Sequence, residues 1–284
     1  MSSCKNARVA GIRVPAAVFA ALVLLLPNFA MAQPWAASWI TYDPGTDPAV
    51  GYTSDPGVVL GSPERVTGEI LGFDSDVTMF NSPFGTDEIL SIGGGGELVV
   101  RFDEPVEDDP TNLFGVDMII FGNTFFTTSD FVVGNITGDN SEPAGVEVSA
   151  DGNTWFAVTP QADSLFPTQG FLDAEIFGTD AGFNPSGTIA TNFLRPMDPS
   201  LDINDFLGKT YAQALGLYDG SGGGTPIDIG PTGLDSISFV RISVPEGGAS
   251  AEIDAFANVP EPSTGALLIV SALLLGVRRR TRRD

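Results

Sequence analysis

The chain has 284 residues, of which 36 are Asp or Glu and 13 are Lys or Arg, giving a net charge of −23; it carries one cysteine and no histidine. Repulsion between this acidic surface and phosphate excludes nucleic acid as a partner. Without imidazole or a well-placed thiol, the serine–histidine and cysteine–histidine nucleophile systems and the usual zinc, copper and haem ligand sets are also excluded, which leaves carboxylate chemistry and the binding of hard cations.

At the N-terminus, Lys5, Arg8 and Arg13 precede the apolar stretch Val14–Leu26, and Ala30-Met31-Ala32 supplies small residues of the kind a signal peptidase accepts. Residues 1–32 are therefore expected to be a helical signal peptide, cut between Ala32 and Gln33. Cys4 lies ahead of the apolar stretch, where it cannot accept a lipid after cleavage.

Residues 33–259 form the expected acidic body. The 36 acidic residues less Glu261 and Asp284 leave 34, set against Arg65, Arg101, Arg195, Lys209 and Arg241, a net charge of −29. Short alternating or β-branched runs separated by Gly, Pro, Asn and Asp predict an all-β body. Along Glu97–Phe102, Leu98, Val100 and Phe102 share one face, and Pro105 is expected to end the strand. After the acidic loop Glu107-Asp108-Asp109-Pro110, the run Asp117–Gly122 suits a strand covered on both sides. Asp151-Gly152 predicts a tight hairpin turn, with Trp155 in the core. Residues 160–199 read as an elaborated connection. Leu207, Tyr211 and Leu215 then predict one short helix over Asn204–Leu217, with Asp202 or Asn204 as cap. Strands are expected again at Ser236–Val244 and Ala251–Val259. The glycine runs Gly93–Gly96 and Gly222–Gly224 lack the lysine and hydroxyl ending of a phosphate loop and read as loops.

The last segment, 260–284, holds Pro260-Glu261-Pro262, the apolar run Gly265–Val277 and the cluster beginning Arg278-Arg279-Arg280. The apolar run is shorter than the roughly 20 residues a helix needs to span a bilayer, and the arginines favour the cytoplasmic side. This order of motifs is similar to the PEP-CTERM sorting signal of exported bacterial proteins. The resemblance implies a C-terminal hydrophobic helix in transient membrane association, an exosortase-type processing enzyme as partner, and delivery to the cell envelope, cell surface or extracellular matrix.

Residues 95–102, 146–155, 239–242 and 252–256 resemble segments of bacterial cell-surface proteins, and the strand–Asp-Gly–Trp unit resembles discoidin-like and carbohydrate-binding domains. That resemblance implies an antiparallel jelly-roll-like β-sandwich with its first and last strands close together. Calcium is the expected cofactor, since it takes oxygen ligands from carboxylates, amides and carbonyls; Asp228 and Asp254, each flanked by apolar residues, lead the candidates, followed by Asp74 and Asp76. Three functions follow: a non-catalytic envelope or matrix protein that associates with extracellular polysaccharide through bridging cations; a carbohydrate-binding module using Trp35, Trp39, Tyr42, Trp155, Tyr211 and Tyr218; or an acid-pair glycoside hydrolase.

Overall fold

Leu98, Val100 and Phe102 point to one side of the long strand at Glu97–Glu107, as their spacing requires, and all three are buried. The computed structural model describes residues 33–260. The expected signal and sorting segments, with Ala30, Ala32, Glu261, Pro262, Arg278, Arg279 and Arg280 and the two flanking helices, lie outside the described residues.

Strands are numbered in chain order. One antiparallel sheet consists of β1 (Ser38–Asp43), β5 (Glu97–Glu107), β12 (Ser236–Ser243), β9 (Ala144–Ser149) and β10 (Phe156–Ala162), in that spatial order. Facing it, β11 (Thr225–Ile227), β6 (Met118–Gly122), β13 (Ala251–Asn258) and β4 (Leu90–Ile92) form the second. Two small hairpins, β2 (Val66–Thr67) with β3 (Ser75–Asp76) and β7 (Phe125–Thr128) with β8 (Ile136–Asn140), complete the strands. The protein is an all-β, antiparallel jelly-roll-like sandwich. Its ends meet as expected: Trp35 bridges Ala257, and the Asn258 N–H donates to Pro34 O at 2.6 Å.

Between the sheets, Val100, Phe102, Val148 and Val240 interlock with Met118, Ile120, Ile227 and Phe256 in one apolar cluster; full burial of each such side chain contributes about 1.5–3 kcal/mol. The outer face of the second sheet is covered as well. Ile119, Phe121, Ala255 and Ala257 pack against Phe193 from the elaborated connection, which explains why the run Asp117–Gly122 is apolar without alternation. That connection builds a further core with Met79, Phe80, Phe126, Phe166, Phe206 and Tyr218.

Four local expectations are corrected. Pro105 does not end β5: β1 stops pairing at Arg101, and the pairing with β12 jumps from Phe239↔Arg101 to Ile237↔Val106, so Pro105 lies in a bulge where no ladder N–H is needed. The single helix is two, α1 (Ile203–Phe206) and α2 (Tyr211–Tyr218), because Asp202 and Thr210 each nucleate a capping box and Gly208 breaks the chain between them at φ +76°. Leu207 falls in the break and is 42 % exposed. The Asp151 hairpin has a wider loop than two residues: the Asp151 carboxylate accepts the N–H groups of Asn153 and Thr154, each at 2.8 Å, before β10 begins. Trp155 is half-buried rather than core, with the Arg241 guanidinium 4.4 Å from its ring centroid.

The first glycine run is a loop with a steric reason. A Cβ on Gly93 would stand 2.3 Å from Thr46 O, and one on Gly96 2.7 Å from Asp43 O, so two backbones approach more closely than any other residue permits.

Candidate functional site

Three chain segments converge beside the ends of β5, β6 and β11. Asp117, immediately before β6, is buried and anchored by its N–H to Ile227 O at 2.9 Å. Its Oδ1 accepts the Asp109 N–H at 3.1 Å and the Asn112 amide at 3.2 Å, and its Oδ2 accepts the Ile229 N–H at 3.0 Å. Burial raises the pKa of this carboxyl, and the three donors oppose the rise.

Asp228 follows β11, where the alternation Ile227-Asp228-Ile229 buries both isoleucines and turns the acid outward. Apolar neighbours on a strand imply the opposite face for the residue between them, so the acid they flank is exposed. Its Oδ1 accepts the Gly230 N–H at 2.8 Å. Asp108, just past β5, is fixed by its N–H to Asp235 O at 3.0 Å. One carboxylate oxygen from each of Asp108, Asp117 and Asp228 lies within 4.8 Å of the others. Asp108, Asp228, Asn112 and Gly230 line an open recess of about 630 Å³. Asn112 was not among the sequence candidates; it is 6 % exposed and its Oδ1 has no partner.

The other sequence candidates stand apart from this group. Asp254 occupies a slip of one residue in the β13–β6 register, between Ile253↔Gly122 and Ala255↔Phe121, which aims it out of the ladder. It is 2 % exposed and accepts the Glu64 N–H at 3.2 Å. Burial raises its pKa well above the carboxylate range, and the charges of Glu64 and Glu88 add to the rise. Asp76 is also buried: its Oδ2 accepts the Ser186 and Gly187 N–H groups, each at 2.7 Å, and its Oδ1 has no partner. Asp74 is exposed. Among the described residues, Asp228 is the one of the four that belongs to a group of three carboxylates.

A second triad, Glu142, Asp163 and Glu252, has one oxygen from each within 4.8 Å of the others. Asp163 accepts the Thr124 N–H and hydroxyl and the Glu252 N–H, at 2.8–3.0 Å. The Ser91 hydroxyl donates to Glu252 at 2.9 Å. Burial pushes Asp163 up to about 6; burial and the adjacent Glu142 carboxyl push Glu252 up to about 8. Asp163 and Glu252 are buried and internally bonded, and the rise favours their protonated forms.

Of the six aromatic candidates, Tyr218 is fully buried with its hydroxyl on Pro167 O at 2.8 Å, and the Tyr42 hydroxyl donates to Ser91 O at 2.6 Å. Tyr211 binds Ala174 O at 3.1 Å, Trp35 packs against the Phe193 cluster and Trp155 lies under Arg241. Trp39, on the edge strand β1, is exposed at 44 %. They form no exposed row among the described residues. No helix among the described residues is long and apolar enough to cross a membrane. No family model matches the chain, and no curated protein matches it.

Proposed function

We propose that the chain is an exported, non-catalytic protein of the cell envelope or extracellular matrix, sorted through its PEP-CTERM-like tail, whose acidic sandwich associates with extracellular polysaccharide through bridging cations. The observation that carries this reading is the change in exposure at the first residue of Pro-Glu-Pro. The Val259 N–H donates to Asp117 O at 2.8 Å and its side chain is buried, whereas Pro260, the first residue of Pro-Glu-Pro, is exposed. A processing enzyme needs access at that position, and Pro260 is accessible. Signal peptidase acting after Ala32 would likewise trim the chain next to Pro34, which is tied to the last strand.

The dispersal of the aromatics weighs against a carbohydrate-binding module, in which side chains stack on sugars along a groove. The burial of Asp163 and Glu252, which are 2 % and 5 % exposed, weighs against an acid-pair hydrolase, whose carboxyls must flank a bound substrate. Purified protein passed over an immobilised acidic polysaccharide should be retained with calcium and released by a chelator. Retention that ignores the chelator and is competed by a neutral oligosaccharide would instead identify a sugar-binding module.

A further inference from the structure

The geometry points to a calcium site in the recess beside the ends of β5, β6 and β11, ligated by Asp108, Asp117, Asp228 and the side-chain oxygen of Asn112. Oxygens bound to one calcium ion at about 2.3–2.6 Å lie no more than about 5 Å apart, and the three carboxylate oxygens already meet that limit at 4.8 Å. They come from three separate segments, so no local turn requirement explains their meeting.

Asn112 is the independent sign of a ligand. Its amide nitrogen donates to Asp117 Oδ1 at 3.2 Å, which joins this side chain directly to the carboxylate group. That oxygen is buried and unpartnered, and Asn112 lines the recess. Buried amide oxygens almost always have a partner, and a cation in the recess supplies one. None of the ion pairs among the described residues involves Asp108, Asp117 or Asp228. The contrast with the second triad is informative: there, hydroxyl and N–H donors and retained protons satisfy the crowded carboxyls, and no oxygen is orphaned.

Calcium fits better than its competitors. The donors are all oxygen, which disfavours zinc and copper, and they sit on loops around a roomy recess able to admit water, whereas magnesium demands a small, near-ideal octahedron. Asp228 is oriented by the Gly230 N–H, which donates to its Oδ1 at 2.8 Å. Gly230 supplies the clearest test. A methyl group at its Cα would stand 3.0 Å from Asp228 Oδ1 and 3.1 Å from Asp108 Oδ1, crowding two of the ligand carboxylates without changing any charge. The site stands on its own geometry, and only the affinity expected of it rests on the export reading.

The full-length purified chain, stripped with chelator, is titrated with calcium chloride or magnesium chloride at matched ionic strength and followed by thermal melting and calorimetry. Calcium should bind saturably with one ion per chain, in the sub-millimolar to millimolar range of about 10⁻⁴–10⁻³ M that suits extracellular modules, and raise the melting temperature by linkage. Gly230→Ala and the double variant Asp108→Asn/Asp228→Asn should melt as the parent does in chelator, yet bind calcium at least about tenfold more weakly; Glu142→Gln should keep the full response. If magnesium raises the melt as much as calcium does, or Gly230→Ala responds like the parent, the ion is only screening the −29 surface and the site is refuted.

Discussion

Raising the pH from about 5 to about 8 should lower the melting temperature by roughly 10 °C or more. Four acids carry this expectation. Asp163 is pushed up to about 6, Glu64 to about 7 and Glu252 to about 8, and Asp254 lies well above its ordinary range, each chiefly through burial. The groups facing them are acidic too: Glu142 and Asp163 beside Glu252, and Glu64 and Glu88 beside Asp254. Because their folded pKa values exceed those of the unfolded chain, the folded protein holds protons that the unfolded one releases. Stability therefore falls as pH rises from about 4 through each folded value. At about 1.4 kcal/mol per pKa unit, the part of the Asp163 shift that lies above pH 5 accounts for about 1.4 kcal/mol over this window, and Glu252, raised further, adds more; the part-exposed Glu64 contributes less than its shift implies because solvent screens it.

The opposite limb lies lower. Asp173 is held at about 2 by the Thr188 hydroxyl and the Ile189 and Thr188 N–H groups, and Asp151, Asp180 and Asp198 are depressed by similar loop bonds. Their contribution is present above about pH 4 and is lost as the pH falls through their folded values. The optimum is thus mildly acidic. Repulsion across the charged surface gives the same sign above it, but salt screens that part; the burial part should persist in about 0.5 M salt, beyond the reach of exposed charges. Glu252→Gln, a neutral stand-in that can still accept the Ser91 hydroxyl, should raise the melt at pH 8 and leave it nearly unchanged at pH 5. A flat profile between these two pH values would contradict this assignment.

The second large effect centres on Arg65. In a body with 34 acids, this arginine pairs with no carboxylate among the described ion pairs. Its guanidinium donates to Gly170 O, to Thr191 O at 3.0 Å and to the Thr191 hydroxyl at 3.2 Å, and it lies 3.9 Å from the centroid of the Phe193 ring. Arg65 thereby pins the elaborated connection to the chain just before β2. Burial lowers its pKa from the ordinary arginine value. Arg65→Met should cost about 3 kcal/mol, from orphaned acceptors and a lost cation–π contact, or roughly 6–12 °C of melting temperature in a domain of this size. Limited proteolysis should then cut first within residues 160–199. Arg101→Ala is the control, because Arg101 is exposed and its pairing with Asp103 is at 4.0 Å; such a change should stay within about 0.5 kcal/mol.

Local patterns were legible where a single neighbour rule decides the outcome. Period-two alternation identifies β5 and β12, and the unbroken apolar run identifies β6 as covered on both faces. The helix failed because apolar spacing was read without the second capping signal, Thr210 with Gln213, and without Gly208 between the two helices. Pro105 stays within β5 because the bulge that tolerates it depends on where β1 and β12 pair, which no local pattern contains.

The site was only partly visible. The acidic loop containing Asp108 and the acid Asp228 are both apparent but 120 positions apart; Asp228 reaches Asp117 because β11 pairs with β6, Ile227 opposite Met118, and the Asp109 N–H ties the acidic loop to the same carboxyl. No local pattern contains that register. Asn112 carried no signal at all in the sequence, since its importance comes from an oxygen left without a partner by the packing around it. The triad around Glu252 was hidden for the same reason: its members arrive from β13 and from either end of the β9–β10 hairpin.

Export and trimming of an acidic, non-catalytic sandwich is the central claim, and the intact mass of the protein recovered from the outer surface of the producing cell tests it most directly. That mass should correspond to a chain beginning at Gln33 and ending near Pro-Glu-Pro, without the apolar segment and the arginine cluster. A full-length, untrimmed chain found dissolved in the cytosol would contradict it.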